Sequence, residues 1–176
     1  VGEHGFSNDS TAQAIGLGDW IDCSRQEYDR KAILSDLRRI HKQVESTHGA
    51  STVPATLRNN VDRLAKLVGL SATDCRILEF AVLIRSESVL DEACDRLGTL
   101  TSIKVFHALS ILLDIPEVEI RSSLNAHAVL GKSGLVAVDR SGATYMLSKL
   151  DLLSDHFADL ILSCDVEPVG LLRDTE

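Results

Sequence analysis

The segment ILEFAVLI at residues 77–84 constrains the fold of this chain more than any other stretch. It continues a helical pattern that starts at SATD, where Ser71 is a good N-cap and Asp74 suits the positive end of the helix dipole. The helix is apolar on all sides, and such a helix has to be covered by other elements. We therefore expect a helical domain with this helix at its centre.

Other helical patterns surround this central helix in the sequence. Residues 54–69 carry apolar side chains at helical spacing between a proline and a glycine, which favour the first turn and the end of a helix. Residues 89–98, 101–114 and 116–124 predict three further helices. In the helix at 101–114, the predicted buried stripe consists of Ile103, Phe106, Leu109 and Leu113.

A β-hairpin is predicted after these helices. LVAVD at 135–139 and TYML at 144–147 have the composition of short strands, and Arg140, Ser141 and Gly142 form the turn between them. Ser148 is predicted to cap a final helix over residues 149–162. Because helices followed by a hairpin are the elements of a winged helix-turn-helix, we expect a mainly α-helical fold with a winged helix-turn-helix-like core and one β-hairpin.

The remaining sequence divides into segments outside this domain. Residues 1–18 are rich in Gly, Ser, Asn and Asp and predict a flexible lead-in. Residues 19–53 predict an N-terminal helix, residues 54–164 the winged-helix-like helical domain, and residues 165–176 an acidic tail or linker. The N-terminal helix opens with a capping box, SRQE at 24–27. Its predicted apolar stripe is Ile33, Leu37, Ile40 and Val44.

The charge of the chain argues against a polyanionic partner. It carries 26 acidic and 18 basic residues, a net charge of −8. Residues 151–176 contain seven acidic residues and a single basic one, Arg173. A surface of this sign repels a phosphate backbone unless a local basic patch overrides it.

The termini and the hydropathy pattern bear on location. The N-terminus has no signal-peptide pattern, and no apolar run approaches the ~18 residues of a membrane span, so we expect a cytoplasmic protein without a membrane partner. The chain begins with Val1 and its only methionine is Met146, so we expect a piece of a longer polypeptide.

The stretch Ala126–Ser133 is one glycine short of the phosphate-binding motif G-x-x-x-x-G-K-[ST]. A working motif needs a preceding strand, a tight glycine-rich turn and a following helix. Here a helical pattern precedes the stretch and a strand pattern follows it, and Asp139 is too close to be the magnesium ligand of a second parallel strand. We interpret the stretch as a loop, with Lys132 in solvent and with Gly131 and Gly134 permitting the turn into the hairpin.

The sequence predicts no catalytic, cofactor-binding or metal-binding residue. The four cysteines are far apart, and Cys75 and Cys94 lie in helical patterns typical of buried, reduced thiols. Asp151, Asp155 and Asp159 stand four residues apart on one face of the predicted final helix. That spacing fits a solvated helix face better than a metal site.

The helix at 101–114 occupies the place of a recognition helix in the predicted fold. A helix that reads DNA presents Arg, Lys, Asn or Gln to bases and phosphates. The outward polar side chains predicted here are Ser102, Lys104, His107 and Ser110. We expect His107 to be a packed or surface imidazole, and Arg140 and Lys132 add only a weak basic strip. DNA is therefore a less favoured partner than a protein.

Two stretches carry a resemblance to a known family: RLAKLVGLSATDCRILEFAVLIRSESVLDEACDRLG and HALSILLDIPEVEIRSSLNAHAVLGKSGLVAVDRSG. They are similar to the region N-terminal to the motor domain in a group of bacterial AAA-type ATPases, and the resemblance covers roughly residues 57–163. It implies a winged-helix-like accessory domain that recognises a substrate or regulates the ring. ATP and magnesium would then bind to a motor domain outside this chain, which also provides a route to oligomers.

The Walker A motif, a spaced Walker B motif and the arginine finger of that family are missing from this sequence, so no catalytic residue is carried over. We expect the chain to be a non-enzymatic, N-terminal protein-interaction or regulatory domain that acts through an apolar and acidic surface. Two alternatives stay open. One is a winged-helix DNA-binding transcriptional regulator, and the other is a nucleotide-binding enzyme that uses Ala126–Ser133.

Overall fold

The computed structural model of the protein describes residues 9–21, 28–47 and 53–163, together with Gly170. The chain forms two compact units, with the boundary between Thr52 and Val53. The predicted mainly helical fold with one pair of antiparallel strands is confirmed. No helix of the described residues combines the length and the apolar character needed to cross a membrane.

In its described residues, the N-terminal unit has the α-helices α1 (Asp9–Ala14) and α2 (Arg30–Thr47) and a short 3-10 helix at Gly18–Trp20. Ile33 of α2 is fully buried and packs with Ala12 and Leu17. The segment predicted as a flexible lead-in, residues 1–18, contains the short helix α1 in its described part. Its apolar side chains are too few to show a helical period in the sequence. The capping box predicted at residues 24–27 lies outside the described residues.

The second unit holds the other elements of the described chain. Its helices are α3 (Ala55–Val68), α4 (Ala72–Ser86), α5 (Ser88–Asp95), α6 (Ser102–Leu113), α7 (Glu117–Ser123), α8 (Val129–Ser133), α9 (Met146–Lys149) and α10 (Asp155–Ser163). Its strands are β1 (Val136–Val138) and β2 (Leu150–Leu152).

Helix α4 lies at the centre of this unit, as predicted. Ser71 and Asp74 form a reciprocal capping box at its start, each side chain bonding the backbone N–H of the other residue. The helix packs against α3, α5, α7 and α10. Its buried side chains are Asp74, Ile77, Leu78, Phe80, Ala81, Val82 and Ile84.

Helices α6 and α7 pack against each other and are joined by a short turn. Asp114 ends α6 in the left-handed region, with a φ of 50°, and Pro116 caps α7 after a single buried residue, Ile115. The predicted buried stripe of α6 is correct at Phe106, Leu109 and Leu113. It is wrong at Ile103, whose side chain is 65% exposed; Val105 takes the inner position because it lies closer to the direction of the buried face.

The hairpin differs from its prediction in the second strand. β1 pairs with Leu150–Leu152, in the register Val136 to Leu152, and not with TYML. Thr144 instead exchanges two backbone hydrogen bonds with Leu100, at 2.8 and 3.2 Å, and Met146 begins the single turn α9.

The final helix also begins later than predicted. The Ser154 hydroxyl, and not Ser148, accepts a hydrogen bond from the Phe157 amide at 3.0 Å. Helix α10 therefore starts at Asp155 and buries Phe157 and Ile161 against the core.

Candidate docking surface

One side of α6 faces solvent and carries apolar residues. Ile103 and Ile111 are 65% and 67% exposed, and His107 between them is also exposed. These three residues follow each other at i, i+4 spacing, so they form one line along the outer side of the helix. We call Ile103, His107 and Ile111 the α6 ridge.

An ion cluster joins the middle of this ridge to α7. The carboxylate of Glu117 accepts a hydrogen bond from Arg121 Nε at 2.8 Å and lies 3.2 Å from His107 Nδ1. The Arg121 guanidinium also stacks over the Phe106 ring, 5.1 Å from its centroid. The hydrogen bonds from Arg121 and then His107 lower the pKa of Glu117 below its ordinary value. The charge of Arg121 is therefore paired within the contact between α6 and α7.

The loop between β1 and α9, residues 139–145, is hydrogen-bonded to residues at and just before the start of α6. The backbone oxygen of Asp139 accepts hydrogen bonds from Lys149 Nζ at 2.7 Å and from the Ser102 hydroxyl at 3.3 Å. The backbone bridge between Thr144 and Leu100 makes a second attachment. The loop therefore stands beside the N-terminal end of the α6 ridge, with Arg140 exposed.

Asp139 is held in its ionised form at this junction. Its carboxylate accepts hydrogen bonds from the backbone N–H and the hydroxyl of Ser141, at 2.8 and 2.9 Å. These bonds, followed by the nearby charge of Lys149, lower the pKa of Asp139. The same carboxylate lies 3.5 Å from Lys149 Nζ, which balances the charge of the buried lysine.

The prediction of a loop over Ala126–Ser133 is wrong for the second part of the stretch, which forms the short helix α8. The Lys132 amide donates to the Ala128 oxygen at 2.9 Å, and Gly134 ends the helix with a φ of 71°. The order of elements agrees with the prediction, because α7 precedes the stretch and β1 follows it. This order is the reverse of the strand, loop and helix of a phosphate-binding motif. The Lys132 side chain is exposed.

Gly131 has a packing role in this stretch. A Cβ atom at position 131 would lie 2.8 Å from the backbone oxygen of Asn125 and 3.1 Å from the Cα atom of Ala126. The backbone N–H of His127 donates a hydrogen bond of 3.0 Å to the Asn125 side chain, so this N–H is bonded within the protein. The glycine of the Gly-Lys-Ser sequence is therefore required by the close approach of α8 to the preceding backbone.

The two described cysteines are free thiols: Cys94 is buried, and Cys75 is partly exposed. Burial raises the pKa of Cys94, and burial followed by the charges of Glu79, Asp62 and Asp74 raises the pKa of Cys75. Both shifts favour the protonated, less nucleophilic form. Cys23 and Cys164 lie outside the described residues.

The three aspartates predicted on one helix face do not lie on one helix. Asp151 belongs to β2, whereas Asp155 and Asp159 belong to α10. Asp155 accepts a hydrogen bond from Arg85 at 3.1 Å. No group of three or more potential metal ligands lies together among the residues that the structure describes.

The basic residues considered for DNA lie on three different segments of the second unit. Lys104, Lys132 and Arg140 are exposed on α6, on α8 and in the 139–145 loop. Ser102 is already bonded to the loop, and Ser110 is half-buried. Sequence reasoning missed the exposure of Ile103, since its spacing to Phe106 fits the inner stripe equally well. It also missed the burial of Lys149, for which the sequence gives no signal.

Comparisons of the chain with protein-family models, with curated proteins and with solved structures found no match.

Proposed function

We propose that the unit beginning at Val53 is a non-catalytic protein-interaction or regulatory domain. In this proposal it lies at the N-terminal side of the motor domain of a cytoplasmic bacterial AAA-type ATPase, and ATP hydrolysis takes place outside this chain. The observation that supports a docking role is the α6 ridge, which presents two exposed isoleucines on one side of α6. Because each isoleucine is about two-thirds exposed, its full burial by a partner would contribute about 1–2 kcal/mol.

The charge around the ridge favours a protein over DNA. Between Ser102 and Ser123 the chain carries Lys104 and Arg121 against three acids, Asp114, Glu117 and Glu119. Arg121 is already bonded to Glu117. A recognition helix that contacts phosphates needs free basic side chains, whereas a protein-docking helix gains from exposed apolar ones.

The link to an ATPase rests on the sequence resemblance over residues 57–163, which has a direct genetic test. We would sequence the source gene beyond the codon for Glu176. A strand-flanked G-x-x-x-x-G-K-[ST], followed by an apolar run that ends in Asp-Glu, supports the proposal. A stop codon directly after Glu176 contradicts it.

Activity gives a second test of the same proposal. The product of the whole gene is expected to hydrolyse ATP with magnesium, and residues 1–176 alone are expected to show no hydrolysis above the buffer blank. Replacement of the Walker A lysine in the downstream motor domain supplies the inactive control. Hydrolysis by residues 1–176 would contradict the assignment of a non-catalytic domain.

The alternative is a winged-helix DNA-binding transcriptional regulator. Lys104 and Arg140 are both exposed near the start of α6, and this is the observation that favours it. A dye-labelled DNA duplex titrated at low salt decides between the two. Submicromolar, salt-sensitive binding that weakens in Lys104→Ala and Arg140→Ala would overturn the docking proposal.

A further inference from the structure

We propose that the α6 ridge, together with Lys104 and Arg140, binds a short segment of a partner protein that combines apolar side chains with a carboxylate at one end. This inference rests on the protein-docking part of the proposed function and names the chemistry of the partner. It does not depend on the ATPase assignment.

The start of α6 places basic side chains on both sides of Ile103. Ser102 points towards the 139–145 loop, because its hydroxyl bonds the backbone oxygen of Asp139, the residue before Arg140. Successive helix residues are rotated by about 100°, so Lys104 lies across the exposed side of α6 from Ser102. Ile103 lies between them. Its exposed side chain therefore has the loop that carries Arg140 on one side and Lys104 on the other.

The cationic side chains of Lys104 and Arg140 are available to bind a partner. Lys104 and Arg140 are exposed, and neither makes an ion pair with any residue that the structure describes. An apolar contact at Ile103 would place the partner segment between Lys104 and the loop that carries Arg140, where a carboxylate of the segment could pair with one of these cations. Charge-assisted hydrogen bonds of this kind are stronger than neutral ones and fix the direction of the bound segment.

The rest of the ridge lies beside acidic residues. Asp114 follows α6 directly at the Ile111 end, and Glu117 of α7 lies beside His107 in the middle of the ridge, where its carboxylate contacts His107 and Arg121. A nucleic acid carries negative charge along its whole length, so it would meet these acids as it followed the ridge. A peptide with its carboxylate at the Lys104 end avoids them. The charge pattern therefore favours a peptide segment.

The length of the ridge sets the length of the segment. Ile103 and Ile111 are eight residues apart on one helix, which corresponds to about 12 Å. Two apolar side chains two turns apart on a partner helix, or four residues apart in an extended strand, span about the same distance within a few ångströms. A segment of roughly ten residues is long enough to contact both isoleucines and the basic end.

Peptide selection on the whole chain tests this inference. A displayed library of random twelve-residue peptides is selected on residues 1–176 and depleted on the Ile103→Ser/Ile111→Ser double variant. We expect the enriched peptides to combine apolar residues with Asp or Glu. In fluorescence anisotropy, these peptides are expected to bind the double variant at least tenfold more weakly than the original chain.

Charge variants test the basic end separately. Lys104→Glu and Arg140→Glu are each expected to weaken the selected peptides at least threefold, and added salt is expected to weaken binding to the original chain. Val89→Ser on α5 and Lys66→Glu on α3 remove an exposed apolar and an exposed basic side chain elsewhere, and serve as matched controls. The controls are expected to leave binding unchanged. Circular dichroism checks that every variant is folded.

Three results would overturn the inference. One is the lack of any peptide whose binding depends on Ile103 and Ile111. Another is enrichment of peptides without carboxylates. The third is binding of a labelled DNA duplex that is tighter than binding of the peptides and that Lys104→Glu abolishes. The gene sequence beyond Glu176 is read independently, so failure of the ATPase assignment and failure of this inference are distinguishable.

Discussion

The ammonium group of Lys149 donates a hydrogen bond of 2.7 Å to the backbone oxygen of Asp139, although Lys149 has no exposed surface. The Asp139 carboxylate lies 3.5 Å from the same ammonium group. A buried charge is tolerated only with a partner of opposite charge and hydrogen bonds. Because Asp139 follows β1 and Lys149 precedes β2, this contact closes the loop that stands beside α6.

The first prediction concerns this buried lysine. Lys149→Met keeps most of the side-chain volume but removes the ammonium group from the Asp139 oxygen. We expect the free energy of unfolding to fall by about 2 kcal/mol, the usual size of a hydrogen bond to a charged group. Urea denaturation followed by circular dichroism measures it. Lys132→Met, on the exposed end of α8, is the control and is expected to change stability by less than about 0.5 kcal/mol. Equal stability of the two variants would contradict the prediction.

The second prediction concerns pH and Glu117. Its pKa is lowered in the folded protein, chiefly by the hydrogen bond from Arg121. Its contribution to stability is therefore fully present above the pKa of the unfolded state and is lost as the pH falls through the folded pKa. We expect Glu117→Gln to be less stable than the original chain at neutral pH, with the difference shrinking as the pH falls from about 5 to about 3. Urea midpoints measured across this range show the shrinkage.

The control for this measurement is Glu92→Gln, which changes an exposed glutamate of α5. Its stability is expected to follow that of the original chain at every pH. A constant difference between Glu117→Gln and the original chain from neutral pH to about pH 3 would show that the Glu117 carboxylate is not the titrating group.

The third prediction concerns the contact between α3 and α10. Asn60 is fully buried, and its side-chain amide donates to the backbone oxygen of Ile161 at 2.9 Å. We expect Asn60→Leu to cost about 1–3 kcal/mol in urea denaturation, because it leaves this buried oxygen without the donor. Asn59→Leu, on the exposed side of the same turn, is expected to be nearly neutral.

The parts of the fold that follow from neighbouring residues were predictable. The capping box at Ser71 and Asp74, the left-handed end of α3 at Gly69 and the buried face of α4 each depend on a few adjacent positions. β2 was not predictable in this way. Leu150 and Leu152 alternate as a strand requires, but Leu150 also fits a helical pattern with Leu153, Phe157 and Ile161. Only the pairing with β1 decides between the two.

The candidate surface was predictable in outline but not in detail. The sequence indicated α6 as the outward helix and identified Lys104 and His107 on it. Ile103 fits either side of the helix by spacing alone, and the position of α7 and of the 139–145 loop decides which side is covered. Lys149 carries no local signal either, because its burial depends on the return of the chain to Asp139 ten residues earlier.

The last prediction separates a packing role from a phosphate-binding role for Gly131. Gly131→Ala would place a methyl group 2.8 Å from the Asn125 backbone oxygen, which cannot rotate away as a side chain can. We expect a loss of about 1–3 kcal/mol despite the better helix propensity of alanine, because overpacking displaces α8 from the preceding backbone. Gly142→Ala is the control, since no atom lies within 4 Å of its added Cβ. Urea denaturation of both variants without nucleotide is the measurement. If Gly131 served only to bind phosphate, Gly131→Ala would be as stable as Gly142→Ala. That result would contradict the packing role.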